Sequence, residues 1–125
     1  DNSTINEWLA GSSEFKNNLV HSYNSVVYET SNQTLLTNDA FRTSLETTHG
    51  NTTLANRTDA MLVNPFSLTA PDFRPAAGSP ALSGANYTGM DAFFTTGSFR
   101  GAIGPNNEDN WLSGWANYDS QNTVY

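Results

Sequence analysis

More than a third of the 125 residues are asparagine, serine or threonine, and this feature most constrains the fold. The chain contains 16 Asn, 15 Thr and 13 Ser. These side chains form hydrogen bonds with nearby backbone groups and so compete with the hydrogen bonds of a helix. They are instead typical of bends and of the exposed faces of short strands. A helical bundle or a coiled coil is therefore excluded as the main architecture.

The charge content is low and acidic. Twelve Asp and Glu stand against five Lys and Arg, for a formal net charge of −7. Five scattered cations form no basic stripe, which excludes a nucleic-acid binder that neutralises phosphates. No apolar run approaches about 18 residues, so we expect no membrane span. The chain has no cysteine, which excludes disulfides and thiol chemistry.

The setting predicted from these residues is the extracellular space or the cell surface, because the surface is polar, acidic and nearly free of lysine. The first residues, DNSTINEW, lack the regions of a signal peptide, so we expect a processed chain or part of a longer one. Five Asn-x-Ser/Thr sequons are about as many as this composition gives by chance, and they predict no glycoprotein. They begin at Asn2, Asn32, Asn51, Asn56 and Asn86.

Four segments follow from local patterns. Residues 15–29 are rich in β-branched and aromatic residues, which predicts two short strands within a coil over 1–30. A helix is predicted over 36–49, with a capping residue at Thr37 or Asn38 and a stop at Gly50.

The remaining segments are predicted to be irregular. Residues 61–90 form an extended, proline-rich wrap, because each proline fixes φ and removes a hydrogen-bond donor. Residues 91–125 form a long tail that aromatic side chains anchor, since their density argues against disorder. The prolines of the wrap are Pro65, Pro71, Pro75 and Pro80.

Motifs in the last third of the chain carry a resemblance. In order, they are Phe93-Phe94-Thr95, Arg100-Gly101-Ala102-Ile103-Gly104, the Trp111 to Trp115 run WLSGW, and the Gln121 to Tyr125 run QNTVY. With the segment PDFRPAAGSPALSGA at 71–85, they resemble the C-terminal region of an uncharacterised family of secreted or surface bacterial proteins. The family is expected to form right-handed parallel β-helices, and its members sometimes carry a transporter label.

The resemblance implies a mainly β fold: the end coil of a right-handed parallel β-helix, with one short helix and a long irregular aromatic tail. All of 1–125 would then be a single C-terminal capping region. Its function would be structural and non-catalytic, and its partners would be upstream coils or another chain of an extracellular assembly. A cap of this kind hides an exposed sheet edge.

Catalytic and metal sites have little support in the sequence. His21 and His49 stand outside any hydrolase, metalloprotease or phosphate-binding motif, so we expect a non-enzyme without metal or cofactor. Glu108 and Asp109 are adjacent but lie in the turn-like run PNNEDN, and 106–110 does not match the ligand spacing of an EF-hand.

Three aromatic residues are the candidates for ligand binding: Trp111, Trp115 and Tyr118. Indole faces stack on sugar rings, which would make this group part of a carbohydrate-binding module. The spacing around Ser113-Gly114 equally suits two anchors that clamp the tail, and anchoring is the preferred interpretation. A polysaccharide-active enzyme is a third alternative.

Overall fold

The computed structural model describes residues 3–22 and 34–123. The chain divides into two compact units, Asp1–Ala55 and Asn56–Tyr125. About 25% of the described residues are helical and 11% are in strands.

The first unit begins with helix α1, Ser3–Leu9. Its apolar residues Ile5, Trp8 and Leu9 follow the i, i+3, i+4 spacing of one helix face. Gly11 ends the helix with φ +74°, and the amides of Gly11 and Ser12 donate to the carbonyls of Trp8 and Glu7. This is the Schellman arrangement, which glycine favours because it has no Cβ.

Helix α2, Asn38–Thr43, continues into a π-helical turn, Ser44–Thr48. The hydroxyl of Thr37 accepts the Ala40 amide at 3.2 Å and caps the start of the helix. A helix therefore lies within the predicted range 36–49. The wider final turn, which the sequence pattern did not predict, ends at His49.

Strands β1, Leu19–Val20, and β2, Thr52–Thr53, pair in parallel. The pair is short because an asparagine side chain replaces the next backbone partner. Asn51 Oδ1 accepts the amide of Asn18 at 2.9 Å, just before β1 begins. Asparagine side chains compete with strand ladders in this way.

Asn51 joins three segments of the first unit and is only 4% exposed. Its Nδ2 donates to the carbonyl oxygens of Phe15 (2.6 Å) and Leu45 (2.8 Å). Its Oδ1 also accepts from the Asn18 side chain at 3.0 Å. Leu45, 2% exposed, fills the small core beside it. One buried amide and one buried leucine thus hold the loop before β1, the π turn and β2 together.

An aromatic contact joins α1 to the second helix. The Trp8 ring meets Phe41 edge to face at 5.1 Å between centroids. It also lies 4.5 Å from the His49 ring. The helix-end position predicted for His49 is observed, and the ring packs on Trp8.

The second unit contains an antiparallel hairpin. Strand β3, Leu62–Asn64, pairs with β4, Asp72–Pro75, through a bulged register. The connection over 65–71 begins and ends with proline, and Pro75 lies on an edge strand, where a missing N–H is tolerated. The hairpin is a regular element within the range 61–90 that the sequence pattern did not predict.

Short turns complete the second unit. They are 3₁₀ turns at Arg57–Ala60, Pro80–Leu82 and Asn107–Asp109. The buried hydroxyl of Ser79 donates to the Ala60 carbonyl at 2.6 Å and ties two of these turns together.

The β-helix prediction is wrong. Over 3–22 and 34–123, the structure has two separate two-stranded sheets and no stacked coils. The range 1–30 was expected to hold coil strands, yet α1 occupies its start and β1 has only two residues. Residues 23–30 of that range lie outside the described residues. Across the described ranges, no helix is long and apolar enough to cross a membrane.

Candidate functional site

Trp111 and Trp115 form an exposed pair in the second unit. Their ring centroids are 5.6 Å apart, and the ring planes are tilted by 31°. Trp111 is 53% exposed and Trp115 is 68% exposed. Anchoring by burial, the preferred interpretation of the sequence, does not describe two side chains that are mostly in solvent. We call these two residues the tryptophan platform.

A tight turn of backbone builds the platform. The Trp111 amide donates to Asp109 O at 3.1 Å, and the Ala116 amide donates to Leu112 O at 3.1 Å. Gly114 lies between the tryptophans with φ +91°, a backbone conformation that glycine adopts easily because it has no Cβ. The run Trp-Leu-Ser-Gly-Trp therefore forms a backbone turn that brings the two rings together.

The orientation of Trp115 is fixed by its indole N–H, which donates to the carbonyl oxygen of Trp111. A buried or partly buried indole usually finds such a partner. Because this donor is satisfied within the platform, Trp115 offers an incoming molecule its ring surface.

Tyr118 has a different position. It is 41% exposed, and its ring meets Phe73 of β4 edge to face at 6.4 Å. The structure thus brings Trp111 and Trp115 together and places Tyr118 on the hairpin. Of the three predicted residues, Tyr118 is the one with the geometry of an anchor.

A second contact joins β4 to the turn before the platform. Arg74 donates to both carboxylate oxygens of Asp72, with distances of 2.6–3.1 Å. Its remaining nitrogen, Nη1, donates to Asn107 Oδ1. Sequence reasoning did not bring Asp72, Arg74 and Asn107 together. The available signal was the Asp-x-Arg spacing, because residues two apart on a strand share a face.

The ion pair lowers the pKa of Asp72 below its ordinary value of 3.8. The main cause is the side-chain hydrogen bond from Arg74. Desolvation of the carboxylate opposes this shift, whereas the hydrogen bond from the Arg74 backbone amide and the positive charge of Arg74 add to it. The same bond raises the pKa of Arg74. Both side chains are about three-quarters buried, at 22% and 26% exposure.

We predict an acid-sensitive contribution to stability from Asp72. Since its folded pKa is depressed, the contribution is present above pH 3.8 and is lost as the pH falls through the folded pKa. Thermal melts of the natural chain and of an Asp72→Asn variant check this. The natural chain should melt higher at about pH 6, and the difference should vanish at low pH, where both side chains are neutral. A difference independent of pH would contradict the assignment.

Amide and carboxylate groups surround the tryptophan platform in the sequence. The range 106–123 holds five asparagines, one glutamine and three carboxylates. Most of these groups already form hydrogen bonds within the unit. Asp109 Oδ2 accepts the Asn106 amide and side chain at 3.0 Å each. Further side-chain hydrogen bonds are made by Asn107, Asn110, Asn117, Asp119 and Asn122. Glu108 is exposed.

The other sequence candidates do not assemble into a site. His21 Nδ1 lies 3.2 Å from the Leu54 carbonyl oxygen and is exposed. Asp109 of the acidic pair caps a turn, as described above. In the part of the chain that the structure describes, no three His, Cys, Asp or Glu side chains lie close enough to hold a metal ion.

An apolar cavity of about 260 Å³ also lies in the second unit. Its walls come from the hairpin, from the Pro80–Leu82 turn and from the segment after Phe99. The lining residues include Leu62, Phe73, Pro75, Ala81, Arg100 and Ile103.

Comparison with known proteins adds no relative: no family model, no curated protein and no solved structure matches this chain. The resemblance drawn from the C-terminal motifs stays a prediction.

Proposed function

We propose that this chain is a non-catalytic carbohydrate-binding module of an extracellular or cell-surface protein. The observation that carries the proposal is the exposed, mutually tilted pair of Trp111 and Trp115. Tryptophan is costly to expose, because an indole is large and apolar, and exposed aromatic surfaces mark binding sites.

The surroundings favour a sugar over an apolar partner. A glycan offers apolar ring faces for stacking and hydroxyl groups for hydrogen bonds. The range 106–123 supplies both kinds of surface, with two indoles among amide side chains that can donate and accept. Since Trp115 has its N–H satisfied internally, stacking on its ring leaves no donor stranded.

The capping function was predicted together with the β-helix. The structure does not have that fold. The carbohydrate interpretation is supported by the exposed Trp111 and Trp115 pair.

A glycan array tests the proposal through Trp111→Ala and Trp115→Ala. We expect each change to weaken binding by roughly tenfold or more, because tryptophans dominate the energy of small interfaces. The double variant should give no signal. The thermal unfolding midpoint should stay close to that of the natural chain, since both side chains lie mostly in solvent.

Phe93→Ala is the matched control. Phe93 is 85% exposed in the same unit and packs edge to face on Phe94, away from the tryptophan pair in sequence. Its loss should leave the array signal intact. Equal signals from the natural chain and the tryptophan variants would overturn the proposal.

A further inference from the structure

Each cation of the second unit already makes a contact within the unit. Residues 56–123 contain three arginines, no lysine and no histidine. The guanidinium of Arg57 lies 4.7 Å from the centre of the Phe66 ring. Arg74 holds Asp72 and Asn107, as described above. The guanidinium of Arg100 lies against Gly84, where an added Cβ would be 2.1 Å from Nη2.

The platform segment carries only negative charge. Glu108, Asp109 and Asp119 lie within 106–123, and that range contains no cation. Asp109 precedes Trp111 by two residues, and its carbonyl oxygen accepts the Trp111 amide. Carboxylates at an open surface produce a negative potential over distances of about 8–10 Å at moderate salt.

We infer that the tryptophan platform selects uncharged glycans and rejects anionic ones, such as polyuronates or sulfated polysaccharides. The inference rests on the proposed function and names its ligand class. Carboxylate and sulfate groups are recognised by guanidinium or ammonium groups. Here the three arginines of the unit have partners of their own, and an anionic glycan would meet like charge on the platform.

Isothermal titration of the full chain with oligosaccharides of equal length tests the inference. The neutral probes are cellohexaose, xylohexaose and maltohexaose, and the anionic probe is hexagalacturonate. We expect a neutral probe to bind with an affinity independent of salt. Hexagalacturonate should bind measurably more weakly than the neutral probes at low salt and should gain affinity as salt screens the carboxylates.

Glu108→Gln sharpens the test, because it removes one exposed charge and keeps the shape of the side chain. The ratio of anionic to neutral affinity should rise by about threefold at low salt. In high salt the variant and the natural chain should have the same ratio.

The outcomes separate the two proposals. Binding of hexagalacturonate as tight as that of the neutral probes would leave the proposed function standing and overturn the selectivity. A folded chain that binds none of the probes would overturn the proposed function and the selectivity with it. A ratio unchanged by both Glu108→Gln and salt would also overturn the electrostatic selection.

Discussion

Replacing Asn51 with alanine should destabilise the first unit by about 3 kcal/mol. The change removes both donors to Phe15 and Leu45 and the acceptor for Asn18. The Leu45 carbonyl keeps the Asn51 backbone amide at 3.1 Å, whereas the Phe15 carbonyl and the Asn18 amide lose the bonds that Asn51 made. Each buried polar group left without a partner costs about 1–3 kcal/mol.

Hydrogen exchange measures this loss locally. The amides of Thr52 and Leu54 donate to carbonyls of the β1 segment, at 2.9 and 2.8 Å. In the Asn51→Ala variant they should exchange roughly a hundredfold faster. Asn6→Ala is the matched control, since Asn6 is exposed on α1 and its loss should change stability by less than about 0.5 kcal/mol. Unaltered exchange at Thr52 and Leu54 would refute the role assigned to Asn51.

The second large effect is expected at Leu45. The Leu45→Ala change should lower the free energy of unfolding of the first unit by about 3 kcal/mol, through lost burial and the cavity left behind. Leu45 is 2% exposed, and among the described residues of its unit the other buried apolar side chain is Leu36, at 7%. Small domains are sensitive in this way because they bury a smaller fraction of their surface.

Leu35→Ala gives the comparison for Leu45. Leu35 has the same side chain in the same unit but is 52% exposed. Urea titrations should place the unfolding midpoint of Leu45→Ala well below that of the natural chain. Leu35→Ala should lie close to the natural value. Similar midpoints for the two variants would show that Leu45 does not form the core.

The local elements were more predictable than the fold. Helix α2 follows from a capping threonine, an apolar patch and Gly50, which adopts φ +67° as a stop signal requires. These signals act over a few residues and can be read directly. Trp111 and Trp115 were predicted as ligand-binding candidates, but anchoring was the preferred interpretation, and the contact between their rings was not predicted.

The β-helix prediction was wrong because the sequence of a short polar strand does not determine which segment it pairs with. Residues 15–29 satisfy strand propensity, but propensity does not say how many coils stack or whether a backbone amide finds a strand or a side chain. Here the Asn18 amide finds Asn51, 33 residues away. Nothing in the sequence distinguishes this asparagine from the other fifteen.

The contact between β4 and the turn before the platform was only partly predictable from the sequence. The structure shows Arg74 bonded to Asn107, 33 residues further along the chain, and no local pattern connects the two. The Asp-x-Arg spacing signals the Asp72–Arg74 pair only once 72–75 is known to be a strand, and the hairpin shows that it is.

Because Asn51 is buried, folding and N-glycosylation at this residue compete in any compartment that attaches glycans. Asn51-Thr52-Thr53 is a sequon, yet both hydrogens of Asn51 Nδ2 are donated to carbonyl oxygens inside the folded unit. An oligosaccharide can reach that nitrogen only before folding, and a chain modified there could no longer close the Phe15 and Leu45 contacts. Folding of the first unit and modification at Asn51 are therefore mutually exclusive. A chain that folds first stays unmodified at Asn51, and a chain modified first lacks the Asn51 contacts.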